Sequence, residues 1–125
     1  MAHTRETRQK EVIGKEVEKI NSFFTSDELH RRLAKKHPNI GIATVYRFLK
    51  DSTQKGRLFA YKCDRKTIYS RGKKSHCHFT CEKTGKTVHF DIDNIDFLKK
   101  RIPGTITSFQ IEVTGVCDEC KIKKL

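Results

Sequence analysis

Apolar positions in the first half of the chain recur at helical spacing, and those in the second half recur at every other residue. Val12, Ile13, Val17 and Ile20 predict a helix over 8–22. Thr25-Ser26-Asp27-Glu28 has the form of a capping box. It opens a second helix, with Leu29 and Leu33 inward, that stops at Pro38. The stretch 39–56 reads as a third helix, flanked by Gly41 and Gly56, with Ile42, Val45 and Leu49 facing a core. The turn between the second and third helices is short, as helix-turn-helix geometry requires. The residues 58–63 and 66–70 are rich in aromatic and β-branched side chains around the turn Asp64-Arg65, and they predict a hairpin. Three helices and a basic hairpin make a winged helix.

Beyond Arg71 the pattern is led by strands. The residues 75–81 and 87–91 flank a glycine-bearing hairpin turn at 82–85. A short helix is expected over 92–102, with Ile95, Leu98 and Ile102 on one side. Thr107, Phe109, Ile111 and Val113 then alternate with polar residues as a half-buried strand. The expected fold class is α+β. A winged helix-turn-helix domain over 1–71 is followed over 72–125 by a small α/β domain of antiparallel strands and one helix.

Charge gives the first half a partner. The chain of 125 residues carries a formal +12, with a pI near 9.7. Residues 1–72 hold 17 Lys and Arg against 8 Asp and Glu, and the remainder holds 10 against 7. A basic half joined to a near-neutral half points to a polyanion-binding module with a second function attached. On the third helix Ala43, Tyr46, Arg47 and Lys50 share a face. A small residue, a phenol and two cations suit a DNA groove, where close approach, thymine-methyl contact and phosphate charge are all needed. The hydrophobic fraction is 35% and the charged fraction 34%, so each half has a thin core and needs a metal or a partner subunit. No apolar run is long enough to span a membrane, and the N-terminus has no apolar signal region. A cytoplasmic location is therefore expected. There the five cysteines serve as thiolate ligands more readily than as disulfides.

The second half carries metal-ligand spacing. Cys117-x-x-Cys120 can aim two sulfurs at one tetrahedral ion, and Cys81 is the natural third ligand. A matching second pair would put a cysteine at 84, where Thr84 stands. The fourth ligand is left open among Cys77, His78 and water. On a strand His76 and His78 point the same way and Cys77 the other. If Cys81 pairs with Lys86 across the hairpin, His78 lies opposite His89 and His76 opposite Asp91. Three imidazoles suit Zn, Fe, Mn or Co. Catalysis is not expected. A zinc deaminase needs an H-x-E carboxylate and a P-C-x-x-C pair, whereas His76-Cys77-His78 lacks the glutamate and Val116 replaces the proline.

With these motifs in place the chain resembles the Fur (ferric uptake regulator) family of metal-responsive repressors. The resemblance rests on R-E-T-R-Q-K at 5–10, T-S-D-E-L at 25–29, GIATVYRFL at 41–49, HCHFTC at 76–81 and GVCDEC at 115–120. It implies a homodimer that binds palindromic operator DNA and represses metal-uptake or metal-homeostasis genes. The DNA-contacting residues would be Tyr46, Arg47, Thr44, Ala43 and Lys50, with Lys10 from the first helix. Cys81, Cys117 and Cys120 would hold a structural Zn2+. His76, His78 and His89 stand where the family places a regulatory site for a second divalent metal (Fe2+, Zn2+ or Mn2+). Asp96 matches an acidic ligand of another site, and Cys77 completes the regulatory candidates. Phe23, Ser70, Ser75, Cys77 and Phe109 depart from the family's usual ligands. An alternative follows from those departures: a regulator with structural zinc only, constitutive or responsive to thiol oxidation at Cys63 or Cys77.

Overall fold

The computed structural model describes residues 4–122. The chain divides into two compact units, Met1–Lys73 and Lys74–Leu125. The division falls slightly beyond the expected break between Arg71 and Gly72.

The first unit contains helices α1 (Arg5–Glu18), α2 (Ser26–Ala34) and α3 (Ile42–Gln54), then strands β1 (Phe59–Cys63) and β2 (Lys66–Ser70). Helix α1 starts before the expected residue 8 because Thr4 caps it, its hydroxyl accepting from the Thr7 amide at 3.1 Å. It also ends earlier than expected, yet Ile20 beyond it remains buried. At α2 the Thr25 hydroxyl accepts from the Glu28 amide at 3.1 Å. The Glu28 carboxylate returns to that hydroxyl at 3.2 Å. The buried stripes Ile13/Val17, Leu29/Leu33 and Val45/Leu49 meet in one core with Ile20, Phe24, Ile40 and Leu58. Phe24 extends the β1–β2 ribbon by exchanging two backbone hydrogen bonds with Tyr69, of 3.0 and 2.8 Å. Its ring stacks on the Tyr69 ring with centroids 5.9 Å apart. The hairpin is tight: Asp64 and Arg65 both take left-handed backbone angles, at φ 49° and 66°.

The second unit contains β3 (Ser75–Cys81), β4 (Thr87–Phe90), α4 (Asp96–Lys99), β5 (Phe109–Gly115) and α5 (Asp118–Ile122). Its sheet runs β4-β3-β5, with β3 antiparallel to β4 and parallel to β5. The expected antiparallel strands are thus a mixed sheet, because 27 residues between β3 and β5 allow a crossover that returns the chain in the same direction. The helix expected over 92–102 is a single turn. Asn94 accepts the Asp96 amide at 2.8 Å and starts it late. Pro103 disfavours helical backbone at Ile102.

Alternation divides this sheet into two unlike faces. The register pairs His78 with His89 and Glu112, and His76 with Gln110. Those side chains form a polar face. Cys77, Phe79, Val88, Phe90, Ile111 and Val113 form an apolar one. Val88, Phe90 and Val113 are exposed, as are Phe97 and Ile102 beyond the sheet. Among the described residues of this unit, Cys77 and Cys81 are the only buried members of the hydrophobic set. The apolar face is open to solvent at Val88, Phe90 and Val113, while Cys77 is buried and Phe79 and Ile111 are half-buried.

Candidate functional site

Helix α3 presents the expected basic face. Ala43, Tyr46, Arg47 and Lys50 are exposed, and Tyr46 keeps 50% of its surface in solvent. Arg47 donates to the Thr44 hydroxyl at 3.1 Å, which restrains a long side chain beside a half-buried threonine. Lys10 lies on α1, paired with Glu6 at 3.5 Å. It shares an open groove between α1 and α3 with Arg5, Gln9, Thr44 and Arg47. Asp51 also lines this groove. Its hydrogen bond to Lys55, 3.0 Å away, holds its carboxyl below the usual range. The groove is therefore positive at Arg5 and Arg47, while Lys10 is paired with Glu6 and Asp51 with Lys55.

The first ligand cluster lies on the polar sheet face. One ligand atom from each of His76, His78 and His89 lies within 4.8 Å of the others. His78 Nδ1 is 3.4 Å from His76 Nε2. Two nitrogens bound tetrahedrally at about 2.05 Å from one ion stand about 3.3 Å apart, so the spacing fits a shared metal. His76 and His78 are buried and His89 is exposed. Burial first, and then His89 and His78, push the His76 pKa below its usual value, so the ring is neutral near pH 7, as a metal ligand must be. On its other side His78 Nε2 lies 3.6 Å from Glu112 Oε1, and Gln110 donates to the same oxygen at 3.3 Å. A carboxylate behind a ligating imidazole fixes the ring's tautomer and orientation. Sequence reasoning did not find Glu112, because its position depends on the parallel β3–β5 register. Once that register is known, the alternation of Gln110 and Glu112 identifies it.

The remaining regulatory candidates stand apart from this cluster. Cys77 points to the apolar face and is only 3% exposed. Burial raises its pKa, which keeps it a thiol of low reactivity. Asp96 heads α4, exposed and 3.9 Å from Lys99, and belongs to neither group of ligand atoms.

The second cluster joins Cys81 at the end of β3 to Cys117 and Cys120 around the start of α5. Cys81 Sγ is 3.9 Å from Cys120 Sγ, and Cys117 Sγ is 3.2 Å from Cys120 Sγ. A tetrahedral ion with Zn–S near 2.3 Å sets its sulfurs about 3.8 Å apart. The Thr84 hydroxyl, the Cys117 amide and further turn amides hydrogen-bond the Cys81 sulfur and lower its pKa to about 6. Contact with Cys117, burial and Cys81 drive Cys120 the other way, to about 11. Three sulfurs this close cannot all carry charge unless a cation replaces their protons, so the donor set fits zinc. The thiol of Cys77 and the ring of His78, both considered as a fourth ligand, lie outside this group.

A winged helix followed by a sheet with two metal-ligand clusters is the architecture of a metal-responsive transcriptional regulator. Residues 1–114 match the model of the Ferric uptake regulator family, and the chain belongs to that family. It is 32% identical over 126 residues to the peroxide-responsive repressor PerR of Staphylococcus epidermidis, covering 96% of this chain and 83% of that one. It is 28% identical over 126 residues to a zinc uptake regulation protein of Mycobacterium tuberculosis, covering 96% and 97%. The crystal structure of the zinc uptake regulator FurB from M. tuberculosis matches with a TM-score of 0.56 at 28% identity, covering 95% and 97%. The Helicobacter pylori ferric uptake regulator shares the fold, with a TM-score of 0.64 at 20% identity over 94% and 84%. Members of this family regulate transcription and are not enzymes. No helix among the described residues is long and apolar enough to cross a membrane.

Proposed function

We propose that the protein is a cytoplasmic, metal-dependent repressor that binds palindromic operator DNA as a homodimer. Its targets would be genes of metal uptake or homeostasis. The observation that carries this reading is the convergence of three imidazoles within 4.8 Å on one sheet face. Tyr46, Arg47, Ala43 and Lys50, supported by Thr44 and Lys10, read the duplex. Zinc at Cys81, Cys117 and Cys120 fastens the end of β5 to the β3–β4 turn. A second divalent ion, Fe2+, Zn2+ or Mn2+, binds His76, His78 and His89. His76 is the second residue of β3, directly after the Lys73–Lys74 junction. An ion there fixes the first residues through which the winged helix is tethered. It acts by favouring the DNA-competent arrangement, to the extent that it binds that arrangement more tightly. Val88, Phe90 and Val113, the exposed part of the apolar sheet face, supply the homodimer contact, since exposed apolar patches mark interaction surfaces and a twofold contact uses the same patch on both copies.

The test is DNA affinity as a function of metal, on a duplex selected from a random library by the metal-loaded protein. Fe2+, Mn2+ or Zn2+ tightens wild-type binding, and His89→Ala abolishes the response without unfolding the chain, because His89 is the exposed member of the cluster. An equal metal response in both proteins overturns the reading.

A second reading is favoured by the 32% identity to a repressor named for its response to peroxide. Imidazole is a suitable ligand for Fe2+ as well as for Zn2+. Peroxide would then release DNA from the iron-loaded protein and leave the zinc-loaded protein bound. Release from both forms would place the response at the thiols instead.

A further inference from the structure

The two thiol-bearing turns have the same spacing and differ in their last residue. Cys117-x-x-Cys120 ends on a thiol, and Cys81-x-x-Thr84 ends on a hydroxyl. Both turns close on their first cysteine. The Cys120 amide donates to the Cys117 carbonyl at 3.0 Å, and the Gly85 amide donates to the Cys81 carbonyl at 2.8 Å. Gly85 takes the left-handed angle that the second turn requires, at φ 76°. The Thr84 hydroxyl accepts from the Lys86 amide at 3.2 Å, within the same turn. A neutral alcohol does not compete with thiolates for zinc, and tetrahedral zinc takes four donors. Among the described residues no other Cys, His, Asp or Glu ligand atom joins this group.

We propose that the zinc at Cys81, Cys117 and Cys120 keeps its fourth position for an exchangeable small ligand, water at rest and a low-molecular-weight thiolate when one is present. The inference rests on the zinc assignment made above. Three protein ligands and one free position define sites that exchange ligands, whereas four protein ligands define closed ones. In the exchange a thiol loses its proton to solvent, a zinc–sulfur bond forms and zinc-bound water leaves. No electrons are transferred. The ion would then add a thiol-responsive site to the regulator, separate from the histidine cluster.

The full chain loaded with Co2+ tests this directly, using the sulfur-to-cobalt charge-transfer band, which reports thiolate number. β-Mercaptoethanol is the probe. In the wild type the band should grow by about one third at saturation, as three thiolates become four. Thr84→Cys should begin at the higher intensity and not respond. Thr84→Ser, which keeps the hydroxyl, should respond like the wild type. A silent wild-type band overturns the inference and leaves the zinc assignment standing, with a fourth ligand supplied by the protein. An equal response from wild type and Thr84→Cys also overturns it. No charge-transfer band at any cobalt loading overturns the zinc assignment, and the inference with it.

Discussion

Glu112→Gln removes one charge and almost no volume, and the structure says what that should do. Glu112 Oε1 lies 3.6 Å from His78 Nε2, while His78 Nδ1 faces His76. For Nδ1 to bind an ion, Nε2 must carry the ring proton, and the carboxylate favours that tautomer. Carboxylates behind a ligating histidine typically contribute 10–100-fold in metal affinity. Glu112 is 57% exposed and its contact is long, so water screens it and the effect belongs at the lower end. The expected loss is about tenfold in affinity at the histidine site, or about 1.4 kcal/mol. Chelator competition with Zn2+ measures it, with the thiolate site monitored separately by sulfur charge transfer. Thiolate-site affinity and the melting temperature of the metal-free chain should not move. Unchanged affinity at the histidine site would refute the orienting role of Glu112. An equal loss at both sites would show that the substitution disturbed the sheet instead.

Tyr46→Ala should weaken binding to the selected duplex about tenfold while changing stability by less than about 0.5 kcal/mol, since half of the ring is already in solvent; parallel anisotropy and melting curves check both. Lys50→Ala should lower affinity for all duplexes alike and reduce the slope of log K against log salt by about one unit. A change confined to one sequence would assign Lys50 to base reading instead. Arg65→Gly relieves a left-handed non-glycine residue at the hairpin tip and should raise stability by about 1 kcal/mol. If the wing contacts the backbone, the same variant should bind every duplex less tightly, and unchanged DNA affinity would remove Arg65 from the interface.

The winged helix was legible because its signals are local. Val45 and Leu49 repeat at helical spacing, Thr25 and Glu28 mark a helix start, and the β1–β2 hairpin closes over two residues. The pairing of His78 with His89 was legible for the same reason, since a short turn sets the register. The position of β5 was not, because its parallel pairing with β3 depends on a crossover that no local pattern specifies. Glu112 was hidden with it. Cys77 shows the opposite case: strand alternation already turned it away from His76 and His78, and only the ligand chemistry of its thiol kept it among the candidates. The single-turn α4 shows how the turn at Asn94 and the proline at 103 can override helical periodicity. Thr84 could be read from spacing as a missing ligand, but its place in a turn closed by the Gly85 amide on the Cys81 carbonyl required the fold.

The central claim is that metal at the histidine cluster and DNA at α3 are coupled. Coupling is reciprocal, so one free energy must appear in two experiments. The direct measurement is the metal affinity of the histidine site with and without saturating duplex. The account predicts tighter metal binding on DNA, by the same factor by which metal tightens DNA binding. Identical metal affinity in the free and DNA-bound protein would contradict it.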